Sequence, residues 1–149
     1  MRRTHTLLTE ADIPVLYGFA CTGEKTKMSA HHTILFYVTD PQASARFYET
    51  ALGLQTLELS PGFGMLKLND ATMLGLWNRK GVLPRPEAAA GAGELGLHVE
   101  EKAAVDRQHK AWVEAGVTIL QPPQQMDFGY TCTAADPDGH RIRVFAPDM

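Results

Sequence analysis

The sequence predicts a domain of the α+β class built from two βαβββ units in succession. Two stretches of chain show the same order of strand-like and helix-like patterns, and their strand-to-helix junctions, 38–40 and 99–101, lie 61 residues apart. The glycines predicted to end the two helices, Gly53 and Gly116, lie 63 residues apart. Nearly constant spacing between equivalent landmarks indicates an internal duplication.

The composition of the 149 residues is typical of one soluble globular domain, with 44% hydrophobic and 21% charged residues. No apolar run approaches the ~20 residues that a membrane span requires. Fourteen Lys and Arg residues against seventeen Asp and Glu give a formal net charge of −3 without blocks of one sign, which disfavours nucleic acid and anionic membranes as partners. Cys21 and Cys132 lie too far apart for a redox or zinc motif, and we expect a cytoplasmic protein.

The first unit begins with a run rich in β-branched and aromatic residues, 33–39, which predicts a strand. Asp40-Pro41 follows, an N-cap acceptor with proline at the first helical position. Apolar residues then recur at helical spacing from Ala43 to the stop at Gly53, which predicts a helix packed on a sheet. Turn residues separate three further strands, predicted at 54–59, 63–68 and 72–77.

The second unit repeats this order. Its helix is predicted at 101–115, before Gly116, and its last two strands are joined by the turn 136–139. The four strands are predicted at 94–100, 117–120, 129–135 and 140–145.

These patterns divide the chain into three parts. Residues 1–27 show neither a period nor a cap and are predicted to be a tail of unassigned structure, so translation could equally begin at Met1 or at Met28. The domain then covers 28–149, with repeats at about 32–78 and 94–146 and a linker between them.

Three motifs resemble those of the vicinal oxygen chelate superfamily, which includes glyoxalase I, extradiol dioxygenases and bleomycin-resistance proteins. They are Val-Thr-Asp at 38–40, the helix segment 47–54 with its Leu-Gly-Leu end, and Asp-Pro-Asp-Gly-His-Arg-Ile-Arg at 136–143. The resemblance covers nearly all of 32–147. It implies a glyoxalase/bleomycin-resistance-like fold, in which the two βαβββ units form a curled mixed sheet around a cleft.

Catalytic members of that superfamily hold a divalent metal through a His on the first strand, a carboxylate or amide on the fourth, a His on the fifth and a Glu on the eighth. The first, fifth and eighth positions fall here on Thr33, Glu94 and Arg143. A guanidinium cannot donate a lone pair, so the resemblance predicts no metal at the usual place, no cofactor and no catalytic residue. Instead, Glu94 and Arg143 are predicted to pair across the cleft.

Within the superfamily, the chain resembles the proteins that confer resistance to phenazine antibiotics, over 71–77, 94–97, 128–129 and 136–144. This similarity implies a small homodimer that binds a planar tricyclic antibiotic. Trp77 is predicted to stack on the ligand, beside open space left by the missing side chain of Gly75. The candidate ligand-binding residues are Tyr37, Phe63, Met65, Trp77, Glu94, His98, Phe128, Tyr130 and Arg143.

Several of these candidates have a structural alternative. Strand alternation places His98 on the cleft face with Glu94, where it is more often a hydrogen-bonded wall residue than a ligand contact. Phe63, Met65 and Tyr37 serve equally well in ordinary packing or in a dimer contact. Cys132 is predicted to be a small strand residue, because no His-based dyad can be assigned from the spacing. His140 is expected in a turn without chemistry, and Phe47, Tyr48 and Trp112 are expected in the core.

The leading hypothesis is a metal-independent, cytoplasmic, homodimeric binding protein that sequesters a planar aromatic antibiotic or a related metabolite and thereby confers resistance. A binding protein is favoured over an enzyme. The alternative is a metal-dependent glyoxalase-like lyase or dioxygenase that uses His98 and Glu94 in a displaced metal site. A sensor or binder of a native metabolite is the third interpretation.

Overall fold

The computed structural model describes residues 30–148, which fold into the two predicted βαβββ units. Residues 1–27, which were predicted to be a tail, lie outside the described residues, and so do the two possible translation starts, Met1 and Met28. The first unit contains β1 (His32–Val38), α1 (Pro41–Leu52), β2 (Gln55–Leu59), β3 (Phe63–Lys67) and β4 (Thr72–Asn78). The second contains β5 (Glu94–His98), α2 (Lys102–Glu114), β6 (Thr118–Met126), β7 (Gly129–Ala135) and β8 (Arg141–Pro147).

Each unit forms its own four-stranded mixed sheet. The strand orders are β1-β4-β3-β2 and β5-β8-β7-β6, and in each sheet the first strand pairs in parallel with the last while the other pairs are antiparallel. The identical topology confirms the α+β class and the two-unit architecture. β1 and β5 are edge strands of their sheets.

Local chemistry fixes the ends of α1 where the sequence predicts them. The Asp40 carboxylate accepts the backbone N–H groups of Gln42 and Ala43 at 3.0 and 3.2 Å, which satisfies two donors that the first helical turn leaves unpaired. Gly53 ends the helix in the left-handed region at φ 64°, where a residue with a Cβ would be strained. The following strand therefore starts in a fixed direction against the helix.

The two helices cover one face of their sheets and meet each other in a single core. The indole N–H of Trp112 donates to the carbonyl oxygen of Ala51 at 2.8 Å, which joins α2 to the end of α1. Tyr48 and Trp112 are fully buried, which confirms their predicted place in the core. The opposite face of each sheet is not covered by a helix, and the candidate site lies on these open faces.

The predicted end of β6 at residue 120 is wrong. The strand continues to Met126 through Pro122 and Pro123, and its pairing with β7 shifts register on both sides of Gln121. β6 is an edge strand of its sheet. Proline lacks a backbone N–H, and at an edge this N–H can face away from the neighbouring strand, so no hydrogen bond of the sheet is lost. The register shifts accommodate the remaining distortion. No helix among residues 30–148 is long and apolar enough to cross a bilayer.

Candidate functional site

The open face of the first sheet carries an apolar pocket of about 570 Å³. Strand register places Leu35, Gly75, Met65 and Glu58 in one row across all four strands. The neighbouring row contains Tyr37, Trp77 and Phe63. The pocket is lined by Thr33, Leu35, Glu58, Phe63, Met65 and Trp77.

Trp77 is the largest side chain of this pocket, and two other rings hold it. Phe63 and Tyr37 meet the indole edge-on, with ring centroids 6.5 and 6.4 Å away and interplanar angles of 85° and 83°. Such perpendicular contacts fix the orientation of a ring. The structure thus brings Trp77, Phe63, Tyr37 and Met65 onto one face, although Tyr37 flanks the indole and does not line the pocket.

The space expected above Gly75 is filled, so that detail of the prediction is wrong. A Cβ at Gly75 would collide with the Leu35 side chain and would lie 3.4 Å from the ring of Phe63. Glycine at this position therefore lets Leu35 and Phe63 close over β4 and form the floor of the pocket.

The open face of the second sheet carries the predicted ion pair, but the pair joins the neighbouring strands β5 and β8 of that one sheet and does not reach across a cleft. The Arg143 Nε atom donates to Glu94 Oε1 at 2.7 Å, and a terminal guanidinium nitrogen lies 3.3 Å from Glu94 Oε2. The other terminal nitrogen donates to Gln121 Oε1 at 3.0 Å, and the hydroxyl of Thr133 donates to the same oxygen at 3.0 Å. Two-point binding of this kind is the strong geometry for a guanidinium and a carboxylate.

Aromatic rings extend this cluster along β8 and β5. The guanidinium carbon of Arg143 lies 5.7 Å from the Phe128 ring centroid, and the Phe128 ring meets Phe145 edge-on at 5.7 Å. The His98 ring lies 4.1 Å from that of Phe145. Phe145 was missed among the candidates, although its place two residues after Arg143 on a strand would have put both on one face.

The metal positions of the superfamily do not fit a divalent cation here. In the second sheet the eighth-strand position, Arg143, pairs with Gly96, which lies two residues after the fifth-strand position, Glu94. The equivalent residue of the first sheet is Gly75, which pairs with Leu35, two residues after the first-strand position, Thr33. The fourth-strand position is therefore Gly75, which has no side chain. Thr33, Gly75, Glu94 and Arg143 make a poor donor set, because the only carboxylate is already bound to a guanidinium.

A displaced metal at His98 and Glu94 also lacks support. Both oxygens of Glu94 accept from Arg143, and the His98 ring packs against Phe145. Within residues 30–148, no group of three or more His, Cys, Asp and Glu side chains is arranged to hold a metal ion.

Tyr130 does not join the site, which corrects its place in the cleft. It lies on the helix-facing side of β7, where its hydroxyl donates to Asp106 Oδ1 at 2.6 Å and the Lys102 ammonium lies 5.9 Å from the ring centroid. The hydrogen bond to Asp106 raises the pKa of the Tyr130 hydroxyl. Cys132 lies two residues further on the same side, and burial raises the pKa of its thiol to about 11, which makes it a poor nucleophile.

His140, which was expected in a turn, is buried. Its Nε2 atom accepts the backbone N–H of Gly91 at 3.2 Å, so the proton on Nδ1 is donated to Asp136 Oδ2 at 2.9 Å. The Tyr48 hydroxyl donates to the same oxygen at 2.8 Å, and Phe36 stacks on the imidazole at 4.3 Å. The Asp-Pro-Asp-Gly-His motif therefore joins the two units and the linker.

Paired βαβββ units with open, aromatic-bearing sheet faces define the class of protein to which this chain belongs. The chain is a member of the Glyoxalase/Bleomycin resistance protein/Dioxygenase superfamily, whose family model matches residues 29–144. A comparison with proteins of curated function returns no match.

Solved structures show the same fold. Protein ATC0852 from Agrobacterium tumefaciens, solved by NMR in solution, is 43% identical, with a TM-score of 0.72 over 82% of this chain and 100% of that chain. A glyoxalase/bleomycin resistance protein/dioxygenase from Nocardioides is 18% identical, with a TM-score of 0.70 over 89% and 92%. TnmS3, an antibiotic binding protein from Streptomyces sp. CB03234, is 22% identical, with a TM-score of 0.66 over 83% and 100%. The two likenesses below 25% identity establish the fold alone.

Proposed function

We propose that this protein binds a planar aromatic small molecule, a phenazine-type antibiotic or a related metabolite, in the pocket of the first sheet. By holding the molecule it would sequester it, and we propose that it does so in the cytoplasm, because the sequence has only two cysteines, far apart in the chain. The observation that carries the proposal is the pocket of about 570 Å³ with Trp77 and Phe63 in its wall. That volume lies within the roughly 300–1,000 Å³ of small-molecule sites.

The physical basis is the match between a flat ligand and an aromatic wall. An aromatic pair in good geometry contributes about 0.5–1.5 kcal/mol beyond the burial of its area, and few polar groups are needed to orient such a ligand. The edge-on contacts of Phe63 and Tyr37 hold Trp77 before the ligand arrives, so little ordering is required on binding.

Binding without a metal is part of the proposal. The side chains at the metal positions of the superfamily support it, because Arg143 occupies one of these positions and Gly75 another, and neither can bind a metal ion. A solved protein of this fold, TnmS3, is an antibiotic binding protein, which is consistent with a role for the fold in binding. The sheet face would then act as a platform for the ligand and not as a reaction centre.

Calorimetric titration with phenazine tests this proposal, with one protein sample dialysed against EDTA and a matched sample supplied with zinc, nickel or iron. We expect saturable binding of equal affinity in both samples. Binding only after metal addition would favour the glyoxalase-like lyase or dioxygenase, and absence of heat with phenazine would overturn the proposed ligand class.

We further propose that the protein is a homodimer in which a second copy covers β1. The edge strand β1 carries the exposed apolar side chain of Ile34 on the face opposite to Leu35 and Tyr37, which belong to the pocket side, and apolar edge strands of soluble proteins are usually covered. Sedimentation velocity is expected to show a dimer that Ile34→Lys converts to a monomer. Leu83→Lys, at an exposed apolar residue of the linker, is the control. A monomeric wild-type protein would contradict this proposal.

A further inference from the structure

We propose that the pocket of the first sheet selects planar aromatic ligands that carry a positive charge, and that Glu58 determines this selectivity. The inference rests on the proposed function, because it specifies the ligand class of the same pocket. Its foundation is the position of one carboxylate in a wall that is otherwise apolar except for the hydroxyl of Thr33.

Glu58 lies on β2, at the end of the row that runs across the floor of the pocket. It pairs with Met65, which pairs with Gly75, which in turn pairs with Leu35 on β1. Glu58 is thus the cross-strand neighbour of Met65 in the pocket wall, one row away from Phe63 and Trp77. A flat ligand that lies against those rings would bring its edge toward Glu58.

Glu58 has no charged partner in the part of the chain that the structure describes. Among residues 30–148 its carboxylate has no ion pair and no hydrogen bond, whereas Glu94 on the second sheet is bound by Arg143. By register, Lys67 at the end of β3 lies on the same face, and its ammonium lies 2.8 Å from Asp70 Oδ1. The pocket wall therefore presents one unneutralised negative charge.

An aromatic cation would interact favourably with two features of such a wall. The faces of Trp77 and Phe63 attract a positive charge through their ring quadrupoles, and a carboxylate at the rim attracts it by Coulomb interaction. A neutral ligand gains only the stacking, and an anionic ligand is repelled. Because Glu58 is exposed, the Coulomb contribution is that of a solvated pair and weakens with salt.

Three tricyclic probes of matched shape test the inference by calorimetry at neutral pH: neutral acridine, permanently cationic N-methylacridinium, and anionic acridine-9-carboxylate. We expect the wild-type protein to prefer the cation over acridine by about tenfold and to bind the anion most weakly. Glu58→Gln is expected to reduce the preference for the cation by about two- to fivefold while changing acridine affinity by less than about twofold.

Glu114→Gln is the matched control, since it removes the same charge from an exposed position on α2. It should leave the preference of the wild-type protein unchanged, and thermal melting followed by circular dichroism checks that both variants are folded. Equal binding of acridine and N-methylacridinium by the wild-type protein, or an unchanged preference in Glu58→Gln, would overturn the inference and leave the proposed function standing. Failure of all three probes to bind would overturn both.

Discussion

Trp77 is the residue on which the proposed binding depends most directly. Replacement by alanine removes the central ring of the pocket wall but no core contact, so we expect Trp77→Ala to stay folded and to bind phenazine about 1–3 kcal/mol more weakly, as at a binding hot spot. Calorimetry measures the affinity.

Fluorescence supplies a second measurement of the same prediction. Phenazine should quench the emission of Trp77 but not that of Trp112, which is buried between the helices and bound to the Ala51 carbonyl. The residual emission of folded Trp77→Ala should therefore not respond to phenazine. An unchanged calorimetric affinity in that variant would remove Trp77 from the site.

The pair formed by Glu94 and Arg143 makes a separate prediction about stability. The Arg143 side chain is 16% exposed and the Glu94 side chain 38%, so the pair lies between a surface ion pair and a buried one. Glu94→Gln leaves a largely covered guanidinium without its carboxylate, and we expect it to lower the free energy of unfolding by about 1–2 kcal/mol.

A double-mutant cycle in urea distinguishes this pairing from simple loss of packing. Arg143→Met added to Glu94→Gln should recover part of the loss, because the unpaired cation is then gone. The two side chains are not coupled if the double variant loses as much free energy of unfolding as Glu94→Gln and Arg143→Met lose together as single variants.

The face on which a strand residue lies was predicted correctly where the alternation of side chains along the strand was considered, and wrongly where it was not. Glu94, His98 and Arg143 share a face as predicted. Tyr130 was placed among the cleft residues without that check, and it lies on the helix side of β7, where its hydroxyl donates to Asp106. The burial of His140 could not be predicted, because it depends on Phe36 and Gly91, which are distant in sequence.

At the level of the helices, the internal repeat supplies a matched comparison of two N-caps. Asp40 caps α1 through two backbone N–H groups, whereas Glu101, at the equivalent position before α2, makes no side-chain cap hydrogen bond. We expect Asp40→Ala to cost about 0.5–2 kcal/mol of stability and Glu101→Ala to cost less than about 0.5 kcal/mol. Chemical denaturation of the two variants measures the difference, and equal costs would show that the cap of α1 contributes nothing measurable.

Strands and helices were predictable because their signals are local. Asp40-Pro41 and Gly53 mark α1 within a residue, since cap chemistry involves neighbours only. The end of β6 was not predictable in the same way. Pro122 and Pro123 normally interrupt a strand, and they are tolerated here because the strand order places β6 at an edge.

For the whole molecule, the duplication predicted two sheets of equal topology but not the separation of the candidate residues between them. Tyr37, Phe63, Met65 and Trp77 lie on the first sheet, and the Glu94–Arg143 cluster lies on the second. The two units are joined by contacts such as the hydrogen bonds from Trp112 to Ala51 and from Tyr48 to Asp136. These two bonds join positions 61 and 88 residues apart in the chain and leave no periodic signal in it.

The single core that these contacts create should make the whole molecule sensitive to alkaline pH. Burial raises the pKa of Cys132 to about 11 from the ordinary 9.0, and burial, then the neighbouring Asp136, raises that of Tyr48 above its ordinary 10.0. An unfolded chain therefore releases these protons at lower pH than the native protein does. Stability from these groups is complete below about pH 9 and is lost as pH rises, by up to about 1.4 kcal/mol per pH unit for each proton.

Cys132→Ala isolates the contribution of the thiol. Urea unfolding of this variant between pH 8 and pH 11 should show a shallower loss of stability above pH 9 than the wild-type protein, because the variant has one fewer proton to release on unfolding. The cavity left by the sulfur lowers stability equally at every pH, so the slope and not the absolute value carries the test. Parallel curves for the two proteins would show that Cys132 titrates alike in the folded and unfolded states and that the thiol is not sealed in the core.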